Sequence, residues 1–340
     1  MKTRRLLAAG LILAATACAG DLVGPPPSTD YASLFDTVWR EFDLHYSFFE
    51  LKGIDWNAVG ARHRANAIAA TSDRAFANEL MAMFDELRDP HVSLTPFGPG
   101  STMRYIAPYD TMPSNFSERA TLSRYVPGAA MTPGDHIHYG MASAGVGYLR
   151  IPTFNGSGWS GEVDNALAAL PSASSLIIDI RGNGGGSQSV AREIAGRFAD
   201  RERTFGYIRY RSGAGHGDFT DYVAETVQPQ GRRFTGPVYV LTNRGDYSSA
   251  EDFVLAMRLF PQVTIMGDTT GGASGGPIVR ELPNGWTYEL SQWIEYTPDK
   301  KVFEGIGLAP NVVVKPTPST FAAGRDPVVD QALSLAGATP

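Results

Sequence analysis

Cysteine is almost absent: Cys18 is the single one in 340 residues. Without a second thiol no intramolecular disulfide can form, so the fold has to be held by its core. Lysine is scarce as well, confined to Lys2, Lys52, Lys300, Lys301 and Lys315, and no run of basic residues occurs. At a net charge of −6 the chain has nothing with which to neutralise phosphates, which excludes a nucleic-acid partner. The glycine turn at 182–186 has neither a Walker lysine nor a G-x-G-x-x-G, and no His-Glu-x-x-His is present. His136-Ile137-His138 puts two imidazoles on one face of a strand, but no third ligand lies nearby. Neither a metal nor another cofactor is expected. No internal repeat is visible.

What is present is an ordinary globular composition, 43% hydrophobic and 19% charged, long enough for one large domain and a small one. Lys2, Arg4 and Arg5 precede an apolar stretch at 6–17 that is too short for a comfortable transmembrane helix and has signal-peptide length. It ends in Ala15-Thr16-Ala17-Cys18, which resembles a bacterial lipobox. The expectation is a lipoprotein signal peptide over 1–18, lipidation of Cys18, and a place in the bacterial cell envelope; the alternative is an ordinary signal peptide that happens to carry a cysteine. Residues 19–30, with Pro25-Pro26-Pro27, read as an extended tether.

Apolar residues then recur at helical spacing. Leu34, Phe35, Val38, Trp39, Phe42 and Tyr46 follow a cap at Thr29-Asp30, a weaker stripe follows Asp55, and Phe76, Leu80, Met83, Phe84 and Leu87 follow Ser72-Asp73. Residues 31–95 therefore read as a small helical domain that Pro90 terminates, leaving His91 just beyond it. Residues 96–145 are weakly patterned and read as a connecting segment. From 146 to 337, strand and helix patterns alternate: strands at 146–151, 176–180, 238–242, 263–266 and a long one at 286–296, with helices at 163–170, 190–198 and 327–335. Alternation of this kind predicts an α/β core with a mostly parallel sheet and flanking helices.

Two strand-to-turn segments carry the chemistry. Leu176-Ile177-Ile178-Asp179-Ile180 runs into Arg181-Gly182-Asn183-Gly184-Gly185-Gly186, and 238–242 runs through 243–247 into Ser248-Ser249-Ala250-Glu251 and a helix. A serine at the mouth of a buried strand beside a glycine turn can supply a nucleophile and an oxyanion hole. Ser248-x-x-Glu251 also reads as a capping box, and the glycines as a tight turn that needs positive φ.

These segments resemble the C-terminal processing (tail-specific) peptidases, in the branch of the tricorn core and the interphotoreceptor retinoid-binding protein modules. The resemblance runs through Asp55-Trp56, Asp89-Pro90-His91, 147–151, 179–186, Ser248 to Glu251, Gly267-Asp268-Thr269-Thr270-Gly271-Gly272 and Glu304-Gly305-Ile306-Gly307-Leu308-Ala309-Pro310. It implies a ClpP/crotonase-like core, Ser248 as nucleophile, His91 as base and Glu304 as its partner carboxylate. It also implies an oxyanion hole from Ser249 with Gly185 or Gly186, supported by Glu251 and Thr270. The substrate implied is a peptide or unfolded protein; a non-catalytic module binding an apolar ligand in the same cleft is the alternative. The family's Ser–Lys variant places a lysine where this chain has Ala273. The usual Asp-Gly-His is Asp-Pro-His here, the serine before the tricorn histidine is Pro90, and Ser93 is the remaining candidate second partner for His91. Residues 96–145 are too few for a PDZ domain. Lys52 reads as part of a polar turn, and Lys300 and Lys301 as exposed, where an ammonium stays charged and cannot accept a proton. The oligomeric state is not legible.

Overall fold

The computed structural model describes residues 28–107, 115–322 and 324–339, so the expectations for Cys18, the signal peptide and most of the tether lie outside the described residues. The chain opens with helices α1 (Tyr31–His45), α2 (Phe49–Lys52), α3 (Trp56–Ile68) and α4 (Asp73–Asp85). Asp30, Asp55 and Ser72 each accept a backbone N–H three residues on, which is why α1, α3 and α4 start where they do. Among the described residues no helix is long and apolar enough to cross a membrane.

After β1 (Ser93–Thr95) and β2 (Tyr105–Ile106) come α5 (Glu118–Tyr125), β3 (Ala130–Met131), β4 (His138–Ser143), β5 (Val146–Arg150), α6 (Glu162–Ala169), β6 (Ser175–Asp179) and α7 (Gln188–Ala195). Then follow β7 (Arg203–Tyr210), β8 (Val223–Val227), β9 (Val238–Thr242), α8 (Ser249–Met257), β10 (Val263–Gly267), β11 (Pro277–Glu281), β12 (Thr287–Ser291), β13 (Trp293–Tyr296), β14 (Val312–Val313), α9 (Pro318–Ala322) and α10 (Pro327–Leu335). The central sheet has the order β14-β10-β9-β6-β5-β4-β3, parallel from β14 to β5 and antiparallel beyond. β5, β6 and β9 are buried along their whole length because helices cover both faces. One face packs on α6, α7 and α8, the other on α5 and α10.

Two sequence expectations change. The strand read over 286–296 is two strands: β12 pairs in the sheet β11-β12-β1-β2 and β13 in the sheet β13-β7-β8. Alternation continues across the junction at Gln292, so periodicity alone could not show the switch of sheet. The helical region is also not closed on itself. Its apolar faces meet Leu282, Trp286, Tyr288, Leu290, Ile294 and Tyr296, so a strand unit some two hundred residues later completes its core.

Beneath the glycine turn lies a buried ionic knot. Arg181 donates to both carboxylates of Asp179 and Asp326, and Tyr148 donates to Asp179 at 2.7 Å. Burial would raise the Asp179 carboxyl, but the guanidinium groups of Arg181 and Arg150 outweigh it and hold it below the usual carboxylate range. Breaking such a pair from one side costs about 3–5 kcal/mol, so the knot fixes the end of β6 from which the glycine turn springs.

Candidate active site

β9 delivers the chain into the turn at 243–247, and two side chains tie that turn to the glycine turn. Asp246 accepts the N–H groups of Asn243 (2.9 Å) and Asn183 (3.1 Å), while Asn243 Oδ1 accepts those of Gly182 and Gly245, each at 2.9 Å. Ser248 follows with φ 58° and ψ −135°, a conformation that side chains other than glycine seldom adopt. Its N–H donates to the Ala273 carbonyl at 2.8 Å, and its hydroxyl makes no cap. Gly185 packs so closely here that a Cβ on it would lie 2.7 Å from that of Ser248.

The capping box expected at Ser248-x-x-Glu251 is therefore not formed. Glu251 is fully buried beneath the serine turn, where it accepts Thr270 Oγ1, the Gly272 N–H at 2.8 Å and the Ala273 N–H at 3.0 Å. Thr270 Oγ1 in turn accepts the Leu308 N–H at 2.7 Å. Glu251 so secures the carbonyl that holds Ser248, and burial pushes its carboxyl up to about 8 despite those donors.

His91 lies on the loop before β1, 8% exposed, its ring edge-on to Tyr247 at 6.2 Å between centroids. Neither imidazole nitrogen has a hydrogen-bond partner; Nδ1 stands 3.5 Å from Asp89 Oδ1. Asp89 is itself fixed, accepting the His91 backbone N–H at 2.9 Å and Ser291 Oγ at 2.7 Å. Burial would lower the imidazole, but Asp89, then Glu304 and Glu251, outweigh it and raise it above its ordinary 6.5. Asp89 is held down to about 2: burial works against this, and Lys52 and His91 overcome it.

Glu304 sits deeper in the same cluster. Oε2 accepts the Ser274 N–H at 2.7 Å and its hydroxyl at 3.2 Å, while Oε1 lies 3.2 Å from Lys52 Nζ. Burial, then the charge of Asp89, raise it to about 7. Lys52 is thus not the solvated turn residue the sequence suggests. It closes α2 with 16% of its side chain exposed and also donates to the carbonyls of Leu87 and Arg88. The other described lysines stay away: Lys301 pairs with Asp299, Lys315 with Asp268, and Lys300 lies over Tyr222. Ser93 is no partner of His91, since its hydroxyl goes to Glu289.

Of the two candidate oxyanion glycines, Gly185 has its N–H engaged by Asn183 Oδ1 at 2.8 Å. That leaves the N–H of Gly186 with that of Ser249, the first residue of α8. Asp89 and Lys52 are the site residues that sequence reading missed. The close spacing of Asp89 and His91 was the only local signal for the first, and the second had none.

Beside Ser248 opens a cleft of about 320 Å³ bordered by Gly186, Ser249, Asp252, Ser274, Trp293 and Glu295. A hollow of similar size between α1 and α3 has no such chemistry, its Arg64 and Asp36 being paired with each other. His136 and His138 do not converge on a ligand site: His136 stacks on Trp159 and bonds Glu162, and His138 faces Glu118.

Residues 145–314 match Peptidase family S41, and residues 27–85 match the tricorn protease C1 domain. Tricorn protease homolog 1 of Streptomyces coelicolor is 27% identical over 56% of this chain and 17% of its own length. The carboxy-terminal processing protease CtpA of Bacillus subtilis is 26% identical over 53% of this chain and 37% of its own. The chain thus spans well under two thirds of these curated relatives. A solved structure from Parabacteroides merdae, provisionally named a peptidase, is 32% identical with a TM-score of 0.80 over 91% of this chain and 97% of that one. Mature CPAF, solved with lactacystin, shares the fold at a TM-score of 0.67 and 12% identity, over 90% of this chain and 97% of that one.

Proposed function

Because the chain belongs to peptidase family S41, we propose that it is a serine-type peptidase that hydrolyses peptide bonds through an acyl-enzyme. Ser248 is the nucleophile in this reading and His91 the base, with the Asp89 carboxylate beside the imidazole and Glu304 acting on it through its charge. Ser248 Oγ attacks the scissile carbonyl carbon as its proton passes to the imidazole. The oxygen that becomes anionic is met by the N–H groups of Ser249 and Gly186, with the N-terminus of α8 behind them. Collapse breaks the C–N bond, and the departing amine takes the proton from His91. Water then adds to the ester by the same steps in reverse, releasing the acid and Ser248.

One observation carries the reading: Ser248 is held in a strained backbone conformation, its hydroxyl uncommitted, at the cleft. Beside Trp293 and Pro277 the cleft is bordered by Asp252, Glu295, Gln188 and three serines, polar groups that a purely apolar ligand would leave unanswered. Treating native and heat-denatured protein with a fluorophosphonate should label Ser248 in the native sample only, as located by peptide mass spectrometry. Absence of native labelling would count for the binding-module alternative.

Attachment to the bacterial cell envelope through a lipid on Cys18 is a further part of the proposal, supported by Ala15-Thr16-Ala17-Cys18 after the apolar stretch. Membrane fractionation should find wild type in the pellet and Cys18→Ala released or unprocessed; unchanged sedimentation would remove the anchor.

A further inference from the structure

Two carboxyl groups border the cleft, with no cation among the described residues bonded to either. Asp252 lies four residues beyond Ser248, in the first turn of α8, and Glu295 comes across from β13. They are 1% and 2% exposed, and Asp252 Oδ1, Asp252 Oδ2 and Glu295 Oε1 all lack hydrogen-bond donors. The neighbouring cation, Arg192, is bonded to Glu225. Two further polar groups at the cleft are likewise unpartnered, the Ser249 hydroxyl and the Trp293 indole N–H. Buried acceptors without donors are costly, and a carboxylate without a counter-charge more so.

Burial, then the charge of Asp252, push the Glu295 carboxyl well above its ordinary range. Burial raises the Asp252 carboxyl as well, with Glu295, Gln188 and the charge of Arg192 working against it, so the two carboxyls resist ionising together. The Asp252 N–H donates to the Ser248 carbonyl at 3.4 Å, so the carboxyl group stands on the first turn after the serine. Trp293 forms the adjoining wall, packed so tightly on the loop that a Cβ on Gly276 would fall 1.8 Å from its ring. An indole there can lie along an alkyl stem or face a cation.

Building on the peptidase reading, we propose that this cleft receives a lysine or arginine side chain of the substrate, on the residue whose carbonyl Ser248 attacks, with Asp252 and Glu295 as its acidic floor. The preference is then for peptides with a cationic residue before the scissile bond.

The test compares kcat/KM on one peptide scaffold carrying lysine, arginine, norleucine, alanine or glutamate at that position, in wild type, Asp252→Asn and Glu295→Gln. The proposal expects lysine and arginine to exceed norleucine at least tenfold, glutamate to be poorest, and the lysine-to-norleucine ratio to collapse in Asp252→Asn. Norleucine or alanine cleaved as well as lysine, or a ratio unmoved in both folded variants, overturns it. A second measurement needs no turnover: calorimetric titration of n-butylguanidinium, with n-pentanol as the uncharged control. Saturable binding of the guanidinium by wild type but not by Asp252→Asn supports the cationic pocket even if no peptide is cleaved, in which case only the peptidase reading fails. Cleavage without that preference and without guanidinium binding leaves the peptidase reading standing and the pocket assignment refuted.

Discussion

Replacing Ser248 by glycine should make the protein more stable and leave it inactive. At φ 58° and ψ −135° any side chain is strained by about 1–3 kcal/mol, which glycine escapes. Part of that gain is offset by the freedom glycine adds to the unfolded chain. Ser248→Ala keeps the strain and loses no hydrogen bond, because the hydroxyl caps nothing, so its stability should stay within about 0.5 kcal/mol of wild type. Both variants should lose turnover by a factor on the order of 10⁴ to 10⁶, the scale set by removing a serine nucleophile elsewhere. Ser249→Ala retains the backbone N–H and should remain active. Urea unfolding with peptide hydrolysis on the same preparations checks all three. Inactive Ser249→Ala with active Ser248→Ala would reverse the assignment, and a destabilised glycine variant would show that the serine is not strained.

His91→Ala should lose a comparable factor in kcat/KM, and the pH profile should show why. A base must be neutral to accept a proton, and the anions around His91 hold it protonated to higher pH than an ordinary imidazole. The acid limb of kcat/KM should therefore lie above 6.5, later than the reference imidazole value alone suggests. Asp89→Asn removes the strongest of those anionic influences, and burial then pulls the limb to lower pH. Glu304→Gln should reduce the rate less than His91→Ala, since Glu304 is bonded to Ser274 and Lys52 and acts on the imidazole only through its charge. Rates for His91→Ala near wild type, with folded Lys52→Ala inactive, would replace the histidine by a lysine. A limb that ignores Asp89→Asn would exclude the imidazole as the titrating base.

Local pattern shows best where an element's partners are uniform. α1 and α4 declare themselves because one apolar stripe faces one core, and β5, β6 and β9 because both their faces are covered. β7, Arg203-Thr204-Phe205-Gly206-Tyr207-Ile208-Arg209-Tyr210, shows no clean alternation: its arginines and tyrosines are half-buried and a bulge interrupts its pairing with β8. Ser248 and the glycine turn are legible from their strand ends. Lys52 is not, because what brings it to Glu304 is the packing of α2 against the later strands. Asp252 is hidden for a related reason. On a helix buried on every side, an acidic residue one turn past a serine looks like a solvated position, and only β13 coming across it shows otherwise.

The shared core of the N-terminal helices and the late strands sets the order in which the proposed site can assemble. His91 is carried on the first third of the chain, yet Ser291, 202 residues further on, steadies Asp89 beside it, and β1 finds its register against β12. Contacts that span so much sequence form late in folding. A nascent chain therefore carries His91 and Ser248 on separate, unjoined pieces. A chain cut short before β12 could not steady Asp89 beside the base, and local opening of the helical unit would dismantle the site again. The juxtaposition that the proposed chemistry needs is thereby withheld from incomplete and damaged copies.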